Sequence, residues 1–231
     1  MSLTLYKQTF KTSLCSRTVQ PSGMMMASEG SAVWHTIHCL LKKCFCVLQE
    51  QHEVWKKTLV GCTPLLDSLT NLAEQMQASQ KVAFASTPLG DFPCLPERLW
   101  HKQRCAVEAL LKELQQDKLL ELQKVRDAVG AGVARIFLLC ELQGSSLCLE
   151  SSCQRSALCP SLADMLEGLL DVEGFYHHIY LEMKLFLLQV SYENLTEMEV
   201  LPKALKKVLH HGLQNVVEDV LLKVSFFREA V

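Results

Sequence analysis

The hydrophobic spacing of this chain is helical along almost its whole length, and this constrains the fold more than any other feature. From Trp34 onward, apolar residues recur at steps of three and four, as one face of an α-helix requires. The alternation with a period of two that marks half-buried strands does not occur. The first stripe consists of Trp34, Ile37, Leu41, Cys44, Leu48, Gln51 and Trp55. We therefore predict an all-α fold, an antiparallel bundle of about five helices with a long third helix.

Proline and glycine divide the pattern into segments. The first helix is expected to end near Gly61 and Pro64, where a second helix takes over. The second helix carries Leu65, Leu69, Leu72, Ala73 and Met76 inward. A proline-rich loop, ASTPLGDFPCLPE, then precedes the third helix, which is predicted from about Pro96 to Leu142.

The third helix has two interior glycines, Gly130 and Gly132. Each costs roughly 1 kcal/mol relative to alanine unless a neighbouring helix packs close or the helix kinks. Its predicted inward stripe is Leu111, Leu114, Leu122, Val125, Val129, Val133, Ile136 and Cys140.

The fourth helix is expected to begin after Ser161, an N-cap residue with Asp164 three positions on. Its inward residues are Leu162, Leu166, Leu169, Tyr176, Met183, Leu187 and Val190. Pro202 is expected to open the fifth helix, since proline suits a first turn.

The N-terminal 28 residues lack this periodicity. They contain Lys7, Lys11 and Arg17 but no acidic residue, so we expect a disordered tail, with a weak mitochondrial presequence as the alternative. Residues 29–231 are expected to form a single helical domain, because 49% of the chain is hydrophobic and its length suits one domain.

Composition narrows the possible environments and ligands. The formal net charge of −2 gives no chain-wide attraction to nucleic acid or to an anionic membrane. No apolar run reaches the ~20 residues that span a bilayer. Eleven cysteines, an odd number without a secretory signal before them, indicate reduced thiols. We therefore expect a protein of the cytoplasm and nucleus, with no direct nucleic-acid or membrane contact.

The stretch HTIHCLLKKCFC, which holds two histidines and three cysteines, raises the question of a metal site. Helix geometry places Cys44 on the core face, whereas Cys39, Cys46 and His35 lie about 120° to 160° from Leu41. Cys39 and Cys46 are about 10.5 Å apart along the axis, too far for two thiolates on one zinc. His35 and Cys39 supply at most half of a site.

Other candidate groups are equally incomplete. Cys148, Cys153 and Cys159 lack the CxxC spacing of structural zinc sites. Neighbouring histidines at 177–178 and 210–211 diverge by about 100° on a helix. The acidic residues Asp164, Glu167 and Asp171 lie opposite Leu166 and Leu169, as a solvated face does, with a docking site for a basic partner as the alternative. No phosphate loop or GxSxG elbow occurs. We predict no catalytic, cofactor or metal site.

Seven segments in sequence order resemble one family. They are LLKKCF (40–45), NLAEQMQASQ (71–80), FPCLPERLWHKQ (92–103), LQKVRDAVGAGVARIF (122–137), PSLADMLEGLLDVEGFY (160–176), LPKA (201–204) and DVLLKVSFF (219–227). Together they resemble AIRIM, the family of AAA-ATPase-interacting ribosome maturation factors. The N-terminal tail and the cysteine-rich loop between Gly144 and Cys159 depart from the family pattern.

The resemblance implies a non-catalytic adaptor or scaffold subunit of an AAA-ATPase complex. In that complex it would act beside two related ATPases and the helical partner CINP, and reach the large pre-ribosomal subunit through them. Release of a placeholder factor late in maturation of the large ribosomal subunit, and remodelling of replication machinery, are the implied roles. Two alternatives are a thiol or zinc-dependent enzyme that uses the cysteine-rich helix and loop, and a helical interaction module of an unrelated complex.

The last helix carries the candidate partner-binding residues. An inward stripe is predicted from Leu209, Leu213, Val216, Val220, Val224 and Phe227. Leu222 and Phe226 project about 200° and 240° from Val220, outside this stripe, and Asn215, Glu218, Asp219 and Glu229 rim them. Because a monomer gains nothing by exposing them, we predict that Leu222 and Phe226 bind a partner, with burial between helices of the same chain as the alternative.

Overall fold

In the computed structural model, which describes residues 26–143, 152–156, 159–211 and 216–229, all regular secondary structure of the described residues is helical. The α-helices are α1 (Met26–Lys81), α2 (Leu95–Glu113), α3 (Leu120–Leu142), α4 (Leu162–Gln189), α5 (Leu195–His211), α6 (Val216–Lys223) and α7 (Ser225–Glu229). The predicted all-α fold is confirmed. The predicted disordered tail falls mostly on residues 1–25, which lie outside the described residues, while residues 26–28 belong to α1.

Helix α1 is one helix of 56 residues, so the predicted break near Gly61 and Pro64 is wrong. Pro64 lies inside it and leaves the carbonyl of Val60 without its usual helical donor. Val60 is 63% exposed, so water can satisfy that carbonyl. Buried residues on both sides of Pro64 hold the helix in the core, among them Leu59 and Leu66. Packing therefore outweighs the local cost of proline.

The connection after α1 contains two 3₁₀ turns, Phe84–Ser86 and Pro88–Asp91, where a proline-rich loop was predicted. Thr87 caps the second turn by accepting a hydrogen bond from the N–H of Leu89 at 3.2 Å. Helix α2 then begins at Leu95, with a proline in its first turn, as the sequence predicts.

Helices α2 and α3 form the predicted long third helix, but a π-helical segment, Leu114–Leu119, joins them. The π hydrogen-bonding pattern takes in one extra residue. Leu114 and Leu122 are eight residues apart, yet both are fully buried. The extra residue accounts for this, because it brings their effective separation to seven, about two α-helical turns. Leu111 is only half-buried.

The two glycines of α3 differ in how closely a neighbouring side chain approaches them. A Cβ at Gly132 would lie 3.2 Å from Sγ of Cys44, and one at Gly130 would lie 3.5 Å from Oε1 of Glu173. A close neighbouring helix and a kink are the two expected reasons for these glycines. At Gly132 the reason is the close neighbour, because Cys44 of α1 packs against it.

Helix α5 begins at Leu195, so the prediction that Pro202 opens the fifth helix is wrong. Asn194 provides the start, because its Oδ1 accepts a hydrogen bond from the N–H of Glu197 at 3.2 Å. Pro202 lies inside the helix and is buried. Here too, a buried position overrides the tendency of proline to begin or end a helix.

The described residues group into two compact units. The first contains residues 26–52, 127–143, 152–156, 159–176 and 216–229. In it, the start of α1 runs antiparallel to α6 and α7, since Phe45 packs on Phe227 and His52 lies 3.8 Å from Glu218. Its core contains Ile37, Leu41, Leu48, Val129, Val133, Ile136, Leu166, Leu169 and Val220.

The second unit contains residues 53–126 and 177–211. In it, α1 and α5 are antiparallel: Nζ of Lys206 lies 2.6 Å from Oδ1 of Asp67, and the side-chain amide of Gln77 donates to the carbonyl of Leu195. Its core contains Trp55, Leu59, Cys62, Leu66, Leu69, Val107, Leu114, Leu122, Met183, Phe186, Met198 and Leu205. The prediction of one domain over residues 29–231 stays a prediction. Among the described residues, no helix is long and apolar enough to cross a membrane.

Candidate partner-binding surface

Helices α6 and α7 carry both a core face and an exposed apolar face. The helical path continues between them, since the N–H of Val224 donates to the carbonyl of Val220 and the N–H of Arg228 to that of Val224. Val220, Val224 and Phe227 are buried, as predicted. Leu222 and Phe226 are 73% and 61% exposed. The two predicted partner-binding residues therefore project away from the core of their own unit.

Phe227 fixes this pair of helices to α1. Its ring meets those of His38 and Phe45 edge to face, at centroid distances of 5.5 and 6.5 Å. Nζ of Lys42 lies 5.5 Å from the same ring. Burial, with Lys42 nearby, lowers the pKa of His38. Phe227 is thus a core anchor, while its neighbour Phe226 is exposed.

One prediction for this region is wrong. Val216 belongs to the predicted inward stripe, but it is 40% exposed, and Val217 is buried instead. Leu213 and Asn215 lie outside the described residues.

An open cavity of about 620 Å³ adjoins Phe226. Its apolar wall includes Met165, Val220 and Val224. Gly168 lets α6 approach closely, since a Cβ there would lie 3.2 Å from both methyl groups of Val220. The surface around Phe226 is therefore concave, with room for a partner's side chains.

The cavity has an acidic edge on α4. Glu167 and Asp171 line it and are exposed. Asp164 lines it too, and its carboxylate receives two hydrogen bonds from Arg155, at 2.6 and 2.7 Å. These bonds, followed by the one from Ser161, lower the pKa of Asp164 to about 2. Lys223 is the cation on the α6 side. The sequence predicts a solvated acidic face here, and Glu167 and Asp171 are exposed and Asp164 half-exposed.

A polar contact that is buried at His52 and Tyr176 also reaches α6. Nδ1 of His52 on α1 lies 3.1 Å from the hydroxyl of Tyr176 on α4, and Nε2 lies 3.8 Å from Oε1 of Glu218 on α6. Burial raises the pKa of Tyr176. This contact joins three helices of the first unit, and no local sequence signal marks it, because its members are far apart in the chain.

The cysteines and histidines of the stretch 35–46 lie on different faces of α1. Cys39 and Cys46 are exposed, as predicted, and Cys44 is half-buried against Gly132. Sγ of Cys39 lies 3.7 Å from Nδ1 of His35. Burial raises the pKa of Cys44 to about 11, which disfavours the reactive thiolate.

The remaining candidates are scattered. Cys153 is exposed and Cys159 half-buried, and the side chains of His177, His178 and His210 are exposed. Cys148 lies outside the described residues. Within the described ranges, no group of three or more histidine, cysteine, aspartate or glutamate residues is placed to hold a metal ion.

Comparison with known proteins gives a consistent set of relatives. A family model described as ribosome biogenesis protein C1orf109-like matches residues 35–226. Three relatives are named AFG2-interacting ribosome maturation factor. The human protein is 43% identical over 190 residues, which cover 82% of this chain and 93% of the relative. The Xenopus tropicalis protein is 45% identical over 81% of this chain and 92% of its own length, and the Danio rerio protein is 35% identical over 82% and 93%.

These matches confirm the resemblance found in the seven segments. The family model covers well over half of the chain, and each of these relatives is matched over most of its own length. The protein therefore belongs to the ribosome biogenesis family described as C1orf109-like.

Proposed function

We propose that this protein is a non-catalytic adaptor that joins an AAA-ATPase of the AFG2 type to its substrate during ribosome maturation. The names of the relatives support the ATPase and the ribosomal role. The finer proposal follows the family resemblance: the adaptor works beside CINP, in nucleus and cytoplasm, on late large-subunit particles from which a placeholder factor is released. Remodelling of replication machinery is the second role proposed on the same basis.

We place the docking surface at Leu222 and Phe226. The observation that carries this is the exposure of two large apolar side chains, at 73% and 61%, one turn apart beside a cavity. Burying both against a partner would contribute roughly 3 to 6 kcal/mol gross, at about 1.5 to 3 kcal/mol for each side chain. Central apolar anchors of this kind dominate the energetics of many interfaces.

The first prediction is that Leu222→Asp with Phe226→Asp abolishes co-purification of the AFG2 ATPase or CINP and leaves the fold intact. Both side chains are exposed, so aspartate there costs the monomer little. Circular dichroism and thermal melting measure the fold, and co-purification of the tagged protein with the two partners measures binding. Phe227→Asp should instead unfold the protein, because it buries a charge among aromatic rings.

Leu181→Asp with Leu185→Asp is the matched control. These leucines are 47% and 49% exposed and are also one turn apart, but they lie on α4. The control should retain both partners. If the Leu222 and Phe226 variant keeps its fold and both partners, or binds no worse than this control, the docking surface lies elsewhere.

A further inference from the structure

The first unit has a second concave surface, formed by α1 and α3. This groove, the α1–α3 groove, has a volume of about 230 Å³. That is below the ~300 Å³ at which small-molecule sites begin, so it suits the side chains of another protein better than a free ligand. Leu40 and Val47 of α1 and Ala128, Ala131 and Gly132 of α3 are among its lining residues.

An exposed apolar face extends from the groove along α3. Ala131, Arg135, Leu138 and Leu142 follow one another at steps of four, three and four, so they share one side of the helix. Leu138 and Leu142 are 55% and 71% exposed, and Val47 across the groove is 41% exposed. The small residues Ala128 and Ala131 leave room for another backbone to come close.

The charge of the groove is entirely positive. Lys43 and Arg135 line it, and none of its ten lining residues carries a carboxylate. Within the described part of the chain, neither cation has a hydrogen bond or an ion pair. The basic cavity of the second unit differs, since its Lys206 is paired with Asp67.

We propose that the α1–α3 groove binds an amphipathic helix of another protein, with carboxylates beside its apolar stripe. Apolar side chains at helical spacing would enter between Val47 and Leu138, as in helix-in-groove recognition. Aspartate or glutamate on the flanks would pair with Lys43 and Arg135. The proposal goes beyond the adaptor role, because it adds a second surface with the charge opposite to the acidic edge near Phe226.

The test uses the full-length protein and two designed, fluorescently labelled helical peptides. Both have leucines at positions i, i+3, i+4 and i+7, and they differ only in carrying glutamate or lysine on the flanks. Fluorescence anisotropy should show binding of the glutamate peptide, weakened by salt, and little binding of the lysine peptide. Equal binding of both peptides would overturn the proposal.

Two pairs of variants locate the binding site. Lys43→Glu with Arg135→Glu should weaken binding of the glutamate peptide about tenfold, because two attractions become repulsions. Lys57→Glu with Arg98→Glu changes the net charge equally at exposed positions elsewhere and is the control. Ala131→Trp should fill the groove and block the peptide, whereas Ala78→Trp, at another exposed alanine, should not.

A further variant separates this surface from the one at Phe226. The double aspartate variant of Leu222 and Phe226 should bind the glutamate peptide normally. If it loses the peptide while folded, the peptide binds there and the groove proposal fails, whereas the ATPase docking test is unaffected. Sedimentation of the protein alone should show a monomer, and a dimer that Lys43→Glu with Arg135→Glu dissociates would assign the groove to a second copy of this chain instead.

Discussion

Ser161 and Asp164 close the N-terminus of α4 by exchanging hydrogen bonds. The N–H of Asp164 donates to Oγ of Ser161, and the N–H of Ser161 donates to Oδ2 of Asp164, both at 3.1 Å. Arg155 then binds the same carboxylate. Three side chains within ten residues therefore fix the point where α4 begins and where the acidic edge of the cavity starts.

The second prediction concerns this cap. Ser161→Ala should lower the free energy of unfolding by about 1 kcal/mol, the usual cost of a lost N-cap, as measured by urea denaturation at neutral pH. Thr at position 161 should largely restore it. An unchanged denaturation midpoint for Ser161→Ala would show that the cap contributes nothing to stability.

The third prediction is the pH dependence that Asp164 confers. Its folded-state pKa is about 2, below the ~3.9 of an unfolded aspartate. Its stabilising contribution is therefore fully present above about pH 4 and is lost as the pH falls toward 2. The stability difference between the wild type and Asp164→Asn should shrink over that interval, and a difference that stays constant down to pH 2 would contradict the assignment.

At the scale of elements, two glycines of α4 have opposite roles. A Cβ at Gly168 would press on Val220, whereas a Cβ at Gly174 would meet nothing within 4 Å. The fourth prediction is that Gly174→Ala raises the free energy of unfolding by about 0.5 to 1 kcal/mol through helix propensity. Gly168→Ala should gain less or destabilise. Denaturation of the two variants side by side tests this, and equal gains would mean that α6 does not pack against α4 at Gly168.

The helices themselves follow from the spacing of apolar residues, and their ends follow only in part. Ser161 marks a start correctly, because its cap is made by neighbours in the sequence. Pro64 and Pro202 mislead, because burial in the core outweighs the tendency of proline to begin or end a helix. The π segment is also invisible to a regular 3.6-residue pattern, which has no place for one extra residue.

Half of the candidate surface could be derived in the same way. The exposure of Leu222 and Phe226 follows from their angle to Val220 and is observed. The cavity beside Phe226 could not be derived, because its walls come from α4 and α6, which are far apart in the chain. The groove that holds Lys43 and Arg135 combines α1 and α3 and was missed for the same reason.

At the scale of the whole molecule, the exposure of the cysteines shows which parts of the described chain are buried. Cys62 and Cys140 are buried, and burial raises the pKa of their thiols to about 12 and about 11. Cys39, Cys46, Cys94, Cys105 and Cys153 are exposed. The two buried thiols therefore differ from the five exposed ones in their access to solvent, and Cys44 and Cys159 are half-buried.

The fifth prediction follows from that division. Iodoacetamide at pH 8 should label the five exposed cysteines first and Cys62 and Cys140 more than about a hundredfold more slowly, because the thiolate is the reactive form. Peptide mass spectrometry over time gives the rates, and denaturant should equalise them. If Cys62 reacts as fast as Cys46 in the native protein, the core described around Trp55 and Leu59 is wrong.

The extra residue held in the π segment, Leu114–Leu119, determines where the long helix can lose one residue. A deletion of one residue there would turn the segment into ordinary α-helix and leave Leu114 and Leu122 on the same face. The same deletion anywhere else in α2 or α3 would rotate every later side chain by about 100°. This short stretch is therefore where a one-residue gap between related sequences can be absorbed without cost to the core.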